Sequence, residues 1–293
     1  MPGRALSANA SSFADRALAR HGFLLLLLPG LFFSVVFFAL PVGLLLKRSF
    51  FDPGFTLGFY EEIFTNPAYL TSFWISLKIA FITTVFSMLA SYPLAYAILI
   101  APSAVRSIML ACVLLPLWTN ILIRCYAWML ILQTNGVINT MLVSWLGVAN
   151  EPIPLVFNLT GVIIGMTHYL IPINTLVILS VMTGIDLRLV SAAKGLGANP
   201  VRAFLHVFFP LSMPGVSASA ILIFVVGLGF FVTPALLGGQ RETNVSMLVS
   251  LYFTDVLNWG MGSALATVLM VLTVLLLFGY SFLQPDKMQS SLR

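Results

Sequence analysis

The sequence predicts an all-α protein that crosses a membrane about six times. Of its 293 residues, 60% are hydrophobic and only 8% are charged, and the mean hydropathy is +1.04. The apolar residues also lie in long runs, each of a length that spans a bilayer as a helix. A soluble protein needs far more surface charge than this sequence supplies, so we expect a polytopic membrane protein.

The spans can be placed in order from these apolar runs. The first run begins at Phe23, after a polar segment (1–22), and it lacks a clear cleavage site, so it predicts an uncleaved span. Pro, Gly and charged residues in predicted loops separate the later runs. The predicted spans are 23–46, 73–100, 107–132, 155–182, 216–237 and 260–283. The membrane domain is therefore 23–283, and residues 284–293 form a polar tail.

The basic residues are distributed unequally between the two sides of the membrane. If both tails, the turn at Arg106 and the segment 186–215 share one side, that side carries nine of the 14 Lys and Arg residues. The other loops carry three, and Lys78 and Arg124 lie within spans. Because short basic loops stay in the cytoplasm, both termini are predicted to be cytoplasmic.

The segment 186–215 predicts two short helices joined by a tight turn. Asp186 can cap the first helix, and Gly197 can end it in the left-handed conformation. Asn199 can cap the second helix, and Pro210 is expected to stop it. Each helix carries one apolar stripe. From periodicity alone, an ordinary amphipathic connector between two spans remains an open interpretation.

Several kinds of catalytic site are missing from the sequence. No G-x-x-x-x-G-K-[ST] loop occurs, so we do not expect the chain to bind a nucleoside triphosphate in that way. His21, His168 and His206 lack the spacing of metal ligands. No Ser, His and carboxylate grouping indicates a hydrolase, and no paired carboxylates within spans indicate a proton relay. We therefore expect no catalysis, metal or cofactor in this chain.

Residues 191–215, SAAKGLGANPVRAFLHVFFPLSMPG, strongly resemble the cytoplasmic "EAA" loop of type I ABC importer permeases. The matching positions are Ala192, Ala193, Gly197, Ala198, Phe204, Val207, Pro210, Pro214 and Gly215. The acidic first position of the family is Ser191 here. Docking on an ATPase would then depend on shape and on Arg188, Lys194 and Arg202.

The resemblance implies a type I importer permease fold, with 186–215 as a helix-turn-helix coupling loop, in a bacterial inner membrane. It also implies partners: a dimer of ATPase subunits that bind ATP and Mg, a second homologous permease, and a periplasmic binding protein. The coupling residues that it implies are Ser191, Ala192, Ala193, Lys194, Gly197, Ala198, Arg202, Pro210, Pro214 and Gly215. Residues 230–239, FFVTPALLGG, resemble the end of the fifth span in spermidine/putrescine-type permeases. A polyamine is thus the expected substrate, and another small amine or an amino-acid-like solute is the alternative.

Polar and aromatic side chains within spans are candidates for a substrate path, because they are costly in lipid unless they face a cavity or a partner. These candidates are Trp118, Asn120, Arg124, Tyr126, His168, Tyr169, Asn174 and Thr233. Asp255 is added because a carboxylate beside aromatic residues suits an organic cation. For each residue a helix–helix hydrogen bond or a place in an interfacial belt is the alternative.

Two other classes of protein remain open. A stand-alone secondary transporter would need inverted repeats and coupling-ion residues at mid-membrane, and neither is evident in the sequence. A membrane scaffold or assembly factor would not need a helical docking surface. Recovery of an ATPase with the chain would favour the importer, whereas transport by the chain alone would favour the secondary transporter.

Overall fold

The computed structural model describes residues 27–283, and the regular elements in that range are helices, apart from one isolated bridge between Phe51 and Phe55. Within this range six stretches of helix are long and apolar enough to cross a membrane. The prediction of an all-α, six-span protein is therefore confirmed. The predicted tails, 1–22 and 284–293, lie outside the described residues.

The helices have the following bounds. In chain order they are α1 (Leu27–Phe50), α2 (Gly58–Thr65), α3 (Pro67–Ile100), α4 (Ser103–Leu114), α5 (Ile121–Leu132), α6 (Val137–Thr140), α7 (Leu159–Met182), α8 (Leu187–Gly195), α9 (Pro200–Leu228), α10 (Val232–Leu237), α11 (Val245–Thr254) and α12 (Trp259–Leu283). Short 3₁₀ turns lie at Leu115–Trp118 and Gln240–Glu242, and π turns at Val35–Ala39, Met141–Trp145 and Phe204–Phe208. Helix α11 occupies part of the segment that the sequence analysis assigned to a loop.

The third predicted span, 107–132, is not one continuous helix. Helix α4 ends in the 3₁₀ turn Leu115–Trp118, the chain is extended at Thr119, and α5 then begins. Pro116 has no N–H to donate to the preceding turn. The Asn120 side chain starts the new helix, because its Oδ1 accepts a hydrogen bond from the Leu122 N–H at 2.8 Å. The prediction of an unbroken span was wrong for this local reason.

The fifth span also differs from its prediction, at both of its ends. Pro210 does not stop the second helix of the loop, because α9 continues through it from Pro200 to Leu228. The π turn Phe204–Phe208 precedes Pro210, which lies in the first turn of the α-helical part that follows. The π turn closes with the Phe209 N–H donating to the Phe204 carbonyl, five residues back, so the helix is hydrogen-bonded up to Pro210, which has no N–H to donate. The same span ends at Leu228, and α10 resumes only at Val232.

The core of the bundle lies where α3, α7 and α9 pack together. The buried Asn174 side chain on α7 donates from Nδ2 to Ser87 Oγ on α3 at 3.0 Å and accepts from Ser219 Oγ on α9. Close approach of α7 and α9 depends on Gly215, since a Cβ there would lie 2.6 Å from the Val181 side chain. The interface therefore joins three spans by small residues and buried hydrogen bonds.

Candidate functional site

The coupling loop, residues 186–215, has the local geometry that its sequence predicts. Asp186 Oδ1 accepts a hydrogen bond from the Arg188 N–H at 2.9 Å and starts α8. Gly197 has a φ of +92°, which a residue with a side chain adopts only with strain. Asn199 Oδ1 accepts from the Arg202 N–H at 2.7 Å and starts α9. The two caps and the turn that separates the helices are thus confirmed.

Aromatic packing fixes this loop to the spans beneath it. The rings of Phe204 and Phe208 each lie 5.0 Å from the Tyr96 ring of α3, in edge-to-face arrangements. Phe208 is fully buried in a cluster with Met182 of α7, and Val190 of α8 packs against the same cluster. A force applied to α8 would therefore reach α3, α7 and α9 together.

The exposed tip of the coupling loop is a leucine. Leu196 is 91% exposed between Gly195 and Gly197, and a Cβ added at either glycine would meet nothing within 4 Å. Ala192 is exposed, whereas Ala193 is only partly so. The sequence analysis selected the alanines and Gly197 and did not include Leu196. A leucine between two glycines just after a helix is the signal that could have identified it.

The predicted polar residues of the loop are exposed. Arg188, Lys194 and Arg202 are exposed, and within residues 27–283 they have no carboxylate partner. Ser191 is exposed, and its hydroxyl donates to the Leu187 carbonyl at 3.4 Å. The loop thus presents three exposed basic side chains and an exposed leucine.

A second group of candidate residues surrounds the break in the third span. Arg124 is only 7% exposed. Its Nη2 donates to the carbonyls of Thr119, at 3.0 Å, and of Pro116, and to Thr119 Oγ1 at 2.8 Å. The Pro116 carbonyl also accepts from the Thr119 N–H at 3.3 Å and from Thr119 Oγ1 at 2.8 Å. Arg124 therefore satisfies the backbone where the helix is interrupted.

Aromatic rings connect this break to the interruption after α9. The Arg124 guanidinium carbon lies 5.2 Å from the centre of the Tyr169 ring, which in turn lies 4.9 Å from the Phe230 ring. Phe230 follows the end of α9, and its carbonyl accepts from Asn244 Nδ2 at 2.8 Å. One continuous set of contacts thus joins the two discontinuous spans through α7.

Other contacts complete this site. Trp128 Nε1 donates to His168 Nδ1 at 3.2 Å, and Cys125 Sγ lies 3.6 Å from Thr233 Oγ1 on α10. The structure therefore brings together four of the predicted path residues: Arg124, His168, Tyr169 and Thr233. The sequence analysis did not select Cys125, Trp128 or Phe230. Each is an ordinary apolar or aromatic residue within a span, and only its neighbours make it notable.

Four other candidates have different roles or positions. Trp118 is 91% exposed and Tyr126 is 55% exposed, so both face away from the bundle. Asn120 caps α5. Asn174 bonds to α3 and α9 in the core of the bundle. This is the helix–helix hydrogen bond that was the alternative to a role in the substrate path.

Asp255 lies near the end of α11 and is exposed. Its Oδ2 accepts from Thr254 Oγ1 at 2.7 Å. The ring of its neighbour Trp259 is covered by the Arg48 guanidinium, 4.9 Å from the ring centre. The Tyr252 hydroxyl is also engaged, at 2.5 Å from the Tyr69 hydroxyl. One aromatic face near Asp255 is therefore already occupied by a cation of this chain.

Comparison with known proteins places these features in a family. Residues 72–286 match the family described as "Binding-protein-dependent transport system inner membrane component". The chain is 35% identical over 254 residues to the spermidine/putrescine transport system permease protein PotB of Haemophilus influenzae, covering 87% of each chain. It is 32% identical over 232 residues to PotB of Escherichia coli strain K12, covering 79% of this chain and 84% of that one.

A solved structure shows the same fold. It is the crystal structure of a bacterial alginate ABC transporter in complex with an alginate-pentasaccharide-bound periplasmic protein. The TM-score is 0.79 at 18% identity, and the match covers 92% of this chain and 96% of that one. The predicted permease fold is thus confirmed, as is a multi-pass protein of the inner membrane. On these matches, the chain belongs to the family of inner membrane components of binding-protein-dependent transport systems.

Proposed function

We propose that this chain is the permease subunit of an ATP-driven importer that moves a polyamine, such as spermidine or putrescine, into the cytoplasm. The observation that carries the proposal is the 35% identity to PotB over 87% of both chains. The sequence FFVTPALLGG at 230–239 supports the same substrate class. In the structure this stretch includes Phe230, at the second interruption, and Thr233, beside α5.

The coupling loop and both termini would face the cytoplasm. The excess of basic residues on that side supports this orientation. The loop would then meet a dimer of ATPase subunits that bind ATP and Mg. We assign Leu196 as the apolar side chain that enters the ATPase surface, with Arg188, Lys194 and Arg202 around it. Arginine and lysine at the rim of an interface favour a partner surface that carries acidic residues.

The further partners would be a second, homologous permease and a periplasmic binding protein that delivers the substrate. The complex of the alginate transporter with a periplasmic protein supports a binding protein in this fold. In such an assembly, closure of the ATPases would rotate α8 and the start of α9. Because α9 is continuous to Leu228, the motion would reach the contacts of Phe230 with Tyr169 and, through Tyr169, Arg124.

Co-purification and ligand binding test this proposal. The tagged chain, co-expressed with the proteins of its transport system, should recover an ATPase and a second permease in stable ratio. The cognate binding protein should bind spermidine or putrescine more tightly than amino acids or other small amines. If the binding protein prefers an amino acid, the substrate is the amino-acid-like alternative and is not a polyamine. Transport by the purified chain without an ATPase would contradict the importer itself.

A further inference from the structure

A groove of about 530 Å³ lies between α1, α11 and α12. Lys47 and Arg48, in the last turn of α1, line it together with Phe253 of α11 and Trp259 of α12. Because α9 crosses the membrane between the coupling loop and the start of α12, the groove lies at the end of the bundle opposite that loop. Neither the coupling loop nor the break in the third span contributes to it.

The two cations of the groove have no acidic partner in residues 27–283. Both side chains are exposed, and neither forms an ion pair with a carboxylate of that range. Asp52 and Asp255 lie in the neighbouring connections but do not line the groove. The predicted loops on this side of the membrane carry only three Lys and Arg residues, and two of them are at the groove. Their donors are therefore open to an anion from outside the chain.

The chemistry of the two cations favours a phosphate. The Arg48 guanidinium carbon lies 4.9 Å from the centre of the Trp259 ring. This contact uses the flat face of the guanidinium, so the N–H groups at its edge remain free to donate. The planar guanidinium fits the oxygens of a phosphate, and Lys47 adds a second positive charge beside it.

The depth of the cations corresponds to the lipid headgroups. The described part of α1, Leu27–Phe50, has 24 residues, or about 36 Å, whereas the hydrocarbon region is about 30 Å thick. Lys47 and Arg48 are in the last turn of this helix, and Trp259 is the first residue of α12. Tryptophan is enriched at this level of a membrane. The cationic end of the groove therefore lies where lipid phosphates are held.

The rest of the groove is apolar and runs toward the middle of the membrane. Leu44 and Pro41 line it and lie three and six residues before Lys47, or about 4.5 Å and about 9 Å deeper along the helix axis. Both are exposed. A groove that is cationic at the headgroup level and apolar below it matches the polarity of a phospholipid. A polyamine has the wrong charge, and a soluble anion would leave the apolar part uncovered.

From this match we propose that the groove binds a phospholipid with an anionic headgroup. Its phosphate would contact Lys47 and Arg48, and one acyl chain would lie along Leu44 and Pro41. Two cations favour a headgroup with a net negative charge over a zwitterionic one. The bound lipid would attach the end of α1 to α11 and α12. This site goes beyond the proposed function, because it requires no particular transported substrate.

Native mass spectrometry of the delipidated full chain tests the charge preference. Phosphatidylglycerol and phosphatidylcholine with identical acyl chains would be titrated, and the Kd of the first bound lipid compared. We expect phosphatidylglycerol to bind about tenfold more tightly or better, and the double variant Lys47→Gln, Arg48→Gln to lose this preference. Arg241→Gln removes an exposed cation on the same side of the membrane, outside the groove, and should keep it. Equal affinity of the wild-type chain for both lipids, or equal loss in both variants, would overturn the proposal.

Two further measurements identify the occupant. Inorganic phosphate should not displace phosphatidylglycerol, because it lacks the acyl chain, and displacement would show a site for a free anion instead. A benzophenone amino acid would also replace Phe51, an exposed aromatic residue of the groove, and be irradiated in cell membranes that contain the whole transport system. We expect a product with a phospholipid. Products only with another protein would show that a subunit covers the groove and would overturn the proposal. The titration uses this chain alone, so a failure of the proposed importer to assemble would not affect it.

Discussion

Leu196 is a large apolar side chain that the chain leaves uncovered. It is 91% exposed, beside basic residues and between two glycines that leave open space around it. Exposed leucines are common in a membrane protein where they meet lipid, but this one lies outside the spans, in the turn after α8. In the proposed assembly the ATPase surface would cover this side chain.

The substitution Leu196→Asp should therefore separate the permease from its ATPase. We expect recovery of the ATPase with the tagged permease to fall at least about tenfold, because a charge would replace an apolar anchor in a desolvated contact. Leu57→Asp is a matched control, since Leu57 is an exposed leucine in the α1–α2 connection. Equal recovery of the ATPase with both variants would show that Leu196 is not part of the interface.

Ser191 tests whether the missing acidic residue matters. Because the loop carries Arg188, Lys194 and Arg202 around an apolar tip, we expect Ser191→Glu to change substrate-stimulated ATP hydrolysis by less than about threefold, as for a single exposed charge. Hydrolysis by the reconstituted complex is the measurement. A large gain would instead show that the acidic contact of the family is used here when it is restored.

Asn174 was a candidate for the substrate path, and its contacts lead to a different expectation. Because it bonds to Ser87 and Ser219 in the core, Asn174→Ala should destabilise the protein by about 1 kcal/mol. The measurement is thermal unfolding in detergent, together with the KM for uptake. If the melting temperature is unchanged and the KM is raised, Asn174 contributes to the substrate path and not to stability.

Helix α9 is continuous, and aromatic contacts attach it to α3. It includes the second half of the coupling loop and most of the fifth span, and Phe204 and Phe208 attach it to Tyr96 of α3. The π turn at these phenylalanines allows Pro210 to follow without ending the helix. The second half of the loop and the span therefore form one continuous helix, and we expect them to move as a unit.

Removal of one of these rings should separate binding of the ATPase from stimulation of its activity. With Phe204→Ala we expect the ATPase to remain bound, whereas stimulation of its activity by the loaded binding protein should be mostly lost. The reason is that α9 would lose aromatic contacts to both Tyr92 and Tyr96. Phe38→Ala removes a strongly exposed ring from α1 and is the control. Normal stimulation in the Phe204 variant would show that force passes elsewhere.

The helices could be predicted from the sequence wherever local chemistry decides the outcome. Span number follows from the apolar runs, and the caps at Asp186 and Asn199 follow from side chains that bond within three residues. The break at Thr119 has local signals in Pro116, which lacks an N–H, and in the Asn120 cap. The bonds from Arg124 to the Thr119 carbonyl, in contrast, are seen only in the folded chain. Continuity through Pro210 depends on a π turn, for which the sequence has no simple signal. The grouping of Arg124, Tyr169 and Phe230 requires the packing of three helices.

The molecule as a whole is suited to being one subunit of a larger assembly. The coupling loop presents an exposed leucine and three exposed basic side chains outside the spans. Family membership and similarity to PotB agree with such a subunit. We therefore propose that this chain couples ATP hydrolysis by a partner to polyamine import.

Uptake into proteoliposomes tests that claim most directly. The complete complex would be reconstituted with ATP inside the vesicles and the binding protein outside, and the initial rate of radiolabelled spermidine or putrescine uptake would be measured. We predict uptake that requires both ATP and the binding protein and that is lost with Leu196→Asp. Uptake by this chain alone, driven by an ion gradient and independent of ATP, would contradict the account.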